Sequence, residues 1–325
     1  MLQAFPNVQV DAPGGAPPLH PAAVWIDLLD PTEAEARLVA ELTGLHVPTL
    51  AELNEIETSS RLQRRGEALY LSTPSVMRDE RGPRVTPVGY VLTRDRLLTV
   101  RFAPLPAFEA FSRDCARAGA GTGAERSSAD LFLGLLEAVV DRIADVLERE
   151  SDELDAASRS VFGAEADSRK PARVDRELRA TLRRIGRVGD LLSRLRDTLL
   201  GVGRAVPFVE ANAAAWLAPE HRPRFASLRA DIASLSDYDA QLSNKVQFLL
   251  DATLGFIGIA QSNIIKVLTV VSIVGVPPTF VASLYGMNFK SIPELQWGWG
   301  YQYALVLMLV SAVAPLVWFR VRGWL

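Results

Sequence analysis

The chain has 325 residues, of which 22% are charged, and its formal net charge of -3 leaves no global basic field of the kind that gathers nucleic acid. Its single cysteine, Cys115, excludes an intrachain disulfide. Its three histidines (His20, His46, His221) lie far apart with no metal-ligand spacing, which argues against a built-in zinc site.

Residues 1–20 are rich in Pro and Gly and predict a poorly ordered arm. They lack a basic n-region followed by an apolar h-region, so they do not read as a secretory signal, and the large N-terminal part is expected to stay in the cytoplasm. Ala23 to Leu29 is a β-branched and aromatic run, read as a strand. Asp30-Pro31-Thr32-Glu33 then starts a helix, with Asp30 or Thr32 as the cap and Gly44 as the stop. A second short helix is expected over 49–57. Three strand-like segments follow, 68–77, 85–93 and 96–101, and the turn signals between them suggest an antiparallel meander. Residues 21–103 thus read as a small α/β unit within an α+β cytosolic domain.

Strand signals vanish after Pro104, and 104–218 reads as cytosolic helices. Residues 128–162 carry an i, i+4 stripe (Leu131, Leu135, Val139, Ile143, Leu147) and an acidic last third. Residues 171–203 are arginine-rich. Solvated faces with mutual ion pairs explain both helices; the acidic face as a cation attractor is the sharper alternative, and the arginines have no interleaved aromatics to suit nucleic acid. A third helix starts near Pro219 or Pro223, shows no Gly or Pro from Arg224 to Leu254, and runs on as a stalk (219–263) into an apolar segment. From Phe225 to Leu284 such a helix is about 90 Å long, more than one small chain can cover, so an oligomer is expected.

Two apolar segments close the chain. Residues 264–286 form a first span whose only full charge is Lys266, and 301–319 form a second with none, each long enough to cross a ~30 Å hydrocarbon core. The loop 287–300 sets Lys290 against Glu294, whereas Lys266, Arg320 and Arg322 flank the other ends, with 320–325 as a basic tail. Both termini are therefore expected inside. Polar residues in the first span are not scattered: Ser262, Thr269, Ser272, Thr279 and Ser283 form one stripe that Ile265, Val276 and Gly286 complete. The stripe reads equally well as helix-helix glue or as the wall of a water-filled path. Pro277-Pro278 remove two backbone donors mid-span and predict a bend or loosening there.

Tyr285-Gly-Met-Asn-Phe289, Pro293-Glu-Leu295, the stretch Trp297-Gly-Trp-Gly-Tyr301, a second span and a basic end closing in Trp324-Leu325 resemble the CorA family of magnesium transport channels. Trp25 to Pro31 and Glu55 to Arg61 are similar to it as well. The resemblance implies a funnel-shaped homopentamer in the inner (plasma) membrane, its long helices lining a pore and its second spans forming an outer ring. It implies a selectivity element at Gly286, Met287 and Asn288, polar pore positions at Thr279 and Ser262, and a hydrophobic gate at Ile265, Leu268 and Val276, with Leu268 one position off the stripe. It further implies a basic ring of Lys266, Arg320 and Arg322 at the cytosolic membrane face, and Mg2+ both as cargo and as a regulator bound at cytosolic acids. No motif marks those acids, and Asp231, Asp237 and Asp251 are the candidates. Many members carry an acid just after the asparagine motif where this chain has Lys290, leaving Glu294 as the loop's only carboxylate. The partners implied are further copies of the chain, lipid and divalent cations, with neither nucleic acid nor an organic cofactor. Co2+, Ni2+ or Zn2+ transport on the same architecture is an alternative, and a non-conducting membrane-anchored coiled-coil scaffold or sensor is the rival from another class. With no glycine-rich phosphate loop and no nucleophile-base pair, an enzyme is not expected and no catalytic residue is assigned.

Overall fold

The computed structural model describes residues 2–5, 23–55, 57, 61–79, 82–119, 126–163, 171–287 and 293–324. They form two compact units, one of Met1–Arg159 with Arg183–Leu249, the other of Ser160–Leu182 with Leu250–Leu325. The expected α+β organisation is present: a sheet domain, long helices, then apolar C-terminal helices.

The first unit is built on a six-stranded mixed sheet of β1 (Leu2–Phe5), β2 (Trp25–Leu29), β3 (Leu62–Arg65), β4 (Ala68–Asp79), β5 (Gly82–Leu92) and β6 (Leu97–Arg101), in the order β1-β2-β6-β5-β4-β3. The β2-β6 pair is parallel and the others antiparallel, so the expected meander is β4-β5-β6. Two expectations need correction. Residues 1–20 were expected to be an unstructured arm, yet Leu2–Phe5 pairs with β2, Leu2 opposite Leu28; residues 6–22 lie outside the described residues. Strand β3 was not anticipated, because Leu62-Gln-Arg-Arg65 shows no alternation and is a strand through its pairing with β4.

Two prolines face each other in the β4-β5 ladder, Pro74 and Pro87. Strand β3 covers β4 only as far as Leu71 and β6 covers β5 only from Val88, so the missing N–H groups fall where no outer strand asks for them.

Alternation along the strands divides the core. One face of the sheet carries Ile26, Leu28, Val91, Leu98 and Val100, buried with Val39 and Leu53. These last two belong to α1 (Glu33–Thr43) and α2 (Leu50–Leu53). Thr32 caps α1 in a reciprocal capping box with Glu35, and Gly44 ends it at φ 72, a left-handed conformation that favours glycine. Helix α2 is shorter than the expected 49–57 but starts on the same kind of box, between Thr49 and Glu52.

The opposite face carries Trp25, Asp27, Tyr90, Thr99 and Arg101, all buried, with α3 (Pro106–Gly119) and α4 (Ser128–Gly163) supplying Phe108, Phe111 and Phe132. Trp25 stacks on Phe5 at 4.7 Å and Tyr90 meets Phe132 edge-on at 5.9 Å. Helix α5 runs from Pro171 to Asn212, past the expected end at 203 and through Pro207; α6 is one helix of 65 residues, His221–Tyr285. In the second unit a 3-10 turn at Pro293–Gln296 leads to α7 (Gly300–Val321).

Candidate ion pathway

The second half of α6 and all of α7 are long and apolar enough to cross a membrane. Within this unit each has one covered side. On α6, Val270 is buried and Val274, Pro277, Pro278, Val281 and Tyr285 are half-buried. At about 100° per residue these positions cluster on one side of the helix. On α7 the covered side carries Gly300, Ala304 and Phe319, with Leu307, Ser311 and Pro315 half-buried.

The same rotation places Ile265, Thr269, Ser272, Val276, Thr279 and Ser283 about 180° from the Val270-Val281 side. All are exposed except Thr269, which is half-buried, and Ser262 continues the stripe toward the stalk, also exposed. Leu268, 65% exposed, sits at the edge of this face. Val276, 63% exposed, lies opposite the covered side, whereas from 261 to 268 every residue is exposed and no side of the helix is covered.

Two hydroxyls on this face are directed. Thr269 donates to the Ile265 carbonyl and Thr279 to the Gly275 carbonyl, each at 2.8 Å. Such back-bonding uses up the hydroxyl hydrogen, so each Oγ1 offers only lone pairs to the open side. The helix continues through Pro277 and Pro278, whose rings remove the N–H groups that would bond the Ile273 and Val274 carbonyls. Gly286 follows at the end of α6, with its N–H on the Ala282 carbonyl, and Met287 is exposed. Asn288, the third member of the expected selectivity element, and Lys290 lie outside the described residues. Beyond them, Glu294 is half-buried, and Trp297 stacks on Trp299 at 6.3 Å and meets Tyr303 at 5.8 Å. At the far end of α7, Arg322 lies 5.5 Å over Trp318 and Phe319 stacks on Trp324. Aromatic groups at both ends of an apolar helix suit the two interfaces of a bilayer. Lys266, Arg320 and Arg322 are exposed.

The acids expected to bind a regulatory cation are less organised. Asp231, Asp237 and Asp251 are all exposed on α6, and no group of three or more metal-ligating side chains occurs among the described residues. Asp231 does act on Asp141 of α4, whose carboxyl is pushed above the usual range by burial and then by Glu137, Asp145 and Asp231. The expected ion pairing of the charged helices is present: Arg184 to Glu153 at 2.7 Å and Lys245 to Asp155 at 2.6 Å, with Asp190 and Arg194 paired along α5. Sequence reasoning missed Asp141 and the buried Asp239, because neither position departs from the charge pattern of a solvated helix.

Residues 21–321 match the family model described as CorA-like Mg2+ transporter protein. The chain belongs to this CorA-like family. It is 33% identical over 306 residues to the magnesium transport protein CorA of Yersinia pseudotuberculosis, covering 94% of this chain and 92% of the relative. The CorA of Escherichia coli K12 is 32% identical over 305 residues, with 93% and 92% covered. Among solved structures, the complete CorA magnesium transporter of Methanocaldococcus jannaschii superposes with a TM-score of 0.75 at 21% identity, covering 93% of this chain and 91% of that one. Full-length CmaX gives 0.65 at 19% identity, covering 94% and 90%. These likenesses carry the fold: α/β domain, long helices and C-terminal apolar helices.

Proposed function

We propose that this chain assembles as a homopentamer in the inner (plasma) membrane, with both termini cytoplasmic, and conducts Mg2+ inward as a hydrated ion under control of intracellular Mg2+. The observation that carries the reading is the open face of α6: hydroxyls and apolar side chains share one uncovered side, opposite the side the chain itself covers, and that side ends at Gly286. The curated relatives are named magnesium transport proteins.

The chemistry of that face supports a hydrated cargo. Mg2+ holds its water shell tightly, and bound water turns its hydrogens outward. A wall of oxygen lone pairs accepts those hydrogens without stripping the shell, and the back-bonded Thr269 and Thr279 offer such lone pairs. Rings of Asn288 at the mouth continue the neutral-oxygen chemistry, with Gly286 allowing close approach and Met287 packing. Ile265, Leu268 and Val276 supply constrictions that close by dewetting. Lys266, Arg320 and Arg322 form the basic ring at the cytosolic face, and Glu294, the outer loop's only carboxylate set against Lys290, gives the mouth only a weak attraction for cations. Intracellular Mg2+ shuts the channel at cytosolic acids among Asp231, Asp237 and Asp251.

Purified protein in liposomes loaded with a Mg2+ indicator tests this, with Co2+ and Zn2+ as competitors. Saturable Mg2+ entry driven by an inside-negative potential, lost in Asn288→Ala, is the expected result. No entry with the unmodified chain rejects conduction; unchanged entry and selectivity in Asn288→Ala removes the filter; replacement of Mg2+ by Zn2+ or Co2+ at equal concentration reassigns the ion.

A further inference from the structure

The first unit holds a long antiparallel helix pair with an unusual interior. Along α5 the buried positions Ile185, Val188, Leu192, Leu195, Leu199, Val202, Val206 and Val209 alternate in steps of three and four. Along α6 the same steps give Phe225, Leu228, Ile232, Leu235, Asp239, Leu242, Val246 and Leu249, all buried except the half-buried Leu235. Both are heptad seams. Asp239 is the one ionisable group in either.

Three contacts fix how the seams meet. A Cβ placed on Gly189 would lie 3.2 Å from Val246 Cγ1, and one on Gly203 would lie 3.4 Å from Ile232 Cγ2. Midway between them, Arg196 Nε donates to Asp239 Oδ2 at 2.8 Å. Seven residues up α5 are matched each time by seven residues down α6. Arg196 also donates through Nη2 to Ser243 Oγ at 2.8 Å, so its fork spans one turn of α6. The Asp239 side chain is fully buried, Arg196 is half in solvent, and Asp239 Oδ1 has no hydrogen-bond partner among the described residues.

Such a pair is a poor way to gain stability. A buried carboxylate with one oxygen unpartnered and a half-solvated counter-ion recovers little of its desolvation cost, and an apolar pair of similar volume holds a seam as well or better. What a lone polar seam position does supply is register. The rest of the seam discriminates less: a displacement by one turn, about 5.4 Å, sets mostly Leu, Ile and Val against Leu, Ile and Val again. The Gly189 and Gly203 notches and the 47%-exposed Arg229, paired with Glu210, tie α5 to α6 more loosely than a buried carboxylate does. It leaves Arg196 with at most one of its two acceptors and drives the carboxylate against Leu192 or Leu199. The connection 213–220 is long enough to absorb three or four residues, and Arg224 and Lys245 reach α4 from α6 through long, partly solvated side chains that follow such a shift. The buried His221, 3.1 Å from Asp130 at the start of α6, is the one short tie to α4 among these that a shift must break.

We propose that the Arg196-Asp239 pair is the register pin of the α5-α6 seam, a positioning element that selects one axial setting of α6 from a ladder of nearly equivalent ones. This inference does not depend on which ion the protein carries. It is tested by disulfide trapping in the full-length protein in detergent on a Cys115→Ser background. Gly203→Cys is combined in turn with Ile232→Cys, which reports the observed register, and with Leu228→Cys or Leu235→Cys, which report one-turn displacements. A partner one turn away is beyond the roughly 7 Å Cα separation that a disulfide can bridge. With the pin intact only 203/232 closes. Adding Asp239→Leu is expected to cost part of the 203/232 product and return it as 203/228 or 203/235, whereas Asp239→Asn, polar and of the same size, retains 203/232. Asp239→Leu that closes only 203/232 overturns the proposal. Should that variant not fold, Arg196→Met with Asp239→Leu takes the same three reporters: displaced products support the pin, and 203/232 alone removes it.

Discussion

Replacing Arg101 by Met removes one partner of an ion pair enclosed in the core of the first unit. Arg101 and Asp27 are 4% and 2% exposed, with Nη2 2.9 Å and Nε 3.1 Å from Oδ2. Thr99 donates to Oδ1 at 2.6 Å, Trp25 Nε1 donates to that hydroxyl at 3.0 Å, and the guanidinium lies 5.3 Å over Phe108. Arg101→Met leaves the carboxylate in place with one neutral donor, and breaking a buried pair from one side costs about 3–5 kcal/mol. For a unit of this size that is a fall of about 6–20 °C in melting temperature. Replacing both partners, Asp27→Leu with Arg101→Met, removes the stranded charge and is expected to recover most of the loss. Thermal melting of the full chain in detergent, followed by near-UV circular dichroism, reads both. Melting of the single variant within about 2 °C of the parent, against the ~3–5 kcal/mol expected, would refute the reasoning, as would a double variant that falls as far as the single one.

Two further outcomes follow from packing and titration in the same unit. Gly201→Ala gains up to about 1 kcal/mol of helix propensity, but its Cβ would lie 2.6 Å from Pro74 Cδ, and overpacking of about 1–3 kcal/mol decides the sign. The variant should melt lower, and a rise would show that the α5-β4 contact yields. Asp130 is pushed up by burial, but hydrogen bonds from the Ser127 hydroxyl and amide and the neighbouring His221 imidazole outweigh it and hold the carboxyl below its usual range. Its stabilising part is thus present above the unfolded-state value near 3.8 and is lost as pH falls through the lower folded value. Asp130→Asn, which weakens the Ser127 capping box, should cost about 1 kcal/mol at neutral pH, and the gap to the parent should close in acid. A gap independent of pH would rule out the ionised carboxylate as its source.

Local chemistry made much of the fold readable. Thr32 and Gly44 bracket α1 because a capping hydroxyl and a left-handed glycine are short-range devices. Strand β3 escaped because Leu62-Gln-Arg-Arg65 depends on a partner strand rather than on its own pattern. Helix α5 was expected to stop near 203 and instead continues through Pro207, where a weak local signal yields to the buried Val206 and Val209 on either side. The hydroxyl stripe of α6 is visible from its spacing, and the structure adds that it lies opposite the covered side, which suits a partner helix as well as a water-filled path. Asp239 was invisible as a seam residue because a charged side chain in a helix with many charges reads as solvated. Its burial follows from where α5 packs, which no short window of sequence contains.

Conduction as proposed requires one particular side of α6 to face the ion. In a Cys115→Ser background, single cysteines at Ser272, Thr279 and Ser283 on the open side, and at Val274 and Val281 on the covered side, are treated with a membrane-impermeant charged thiosulfonate while Mg2+ entry into liposomes is recorded. Block of entry from the three open-side positions, with Val274→Cys and Val281→Cys conducting as before, is the predicted result. Block from the covered side with continued conduction after modification of the open side would contradict it.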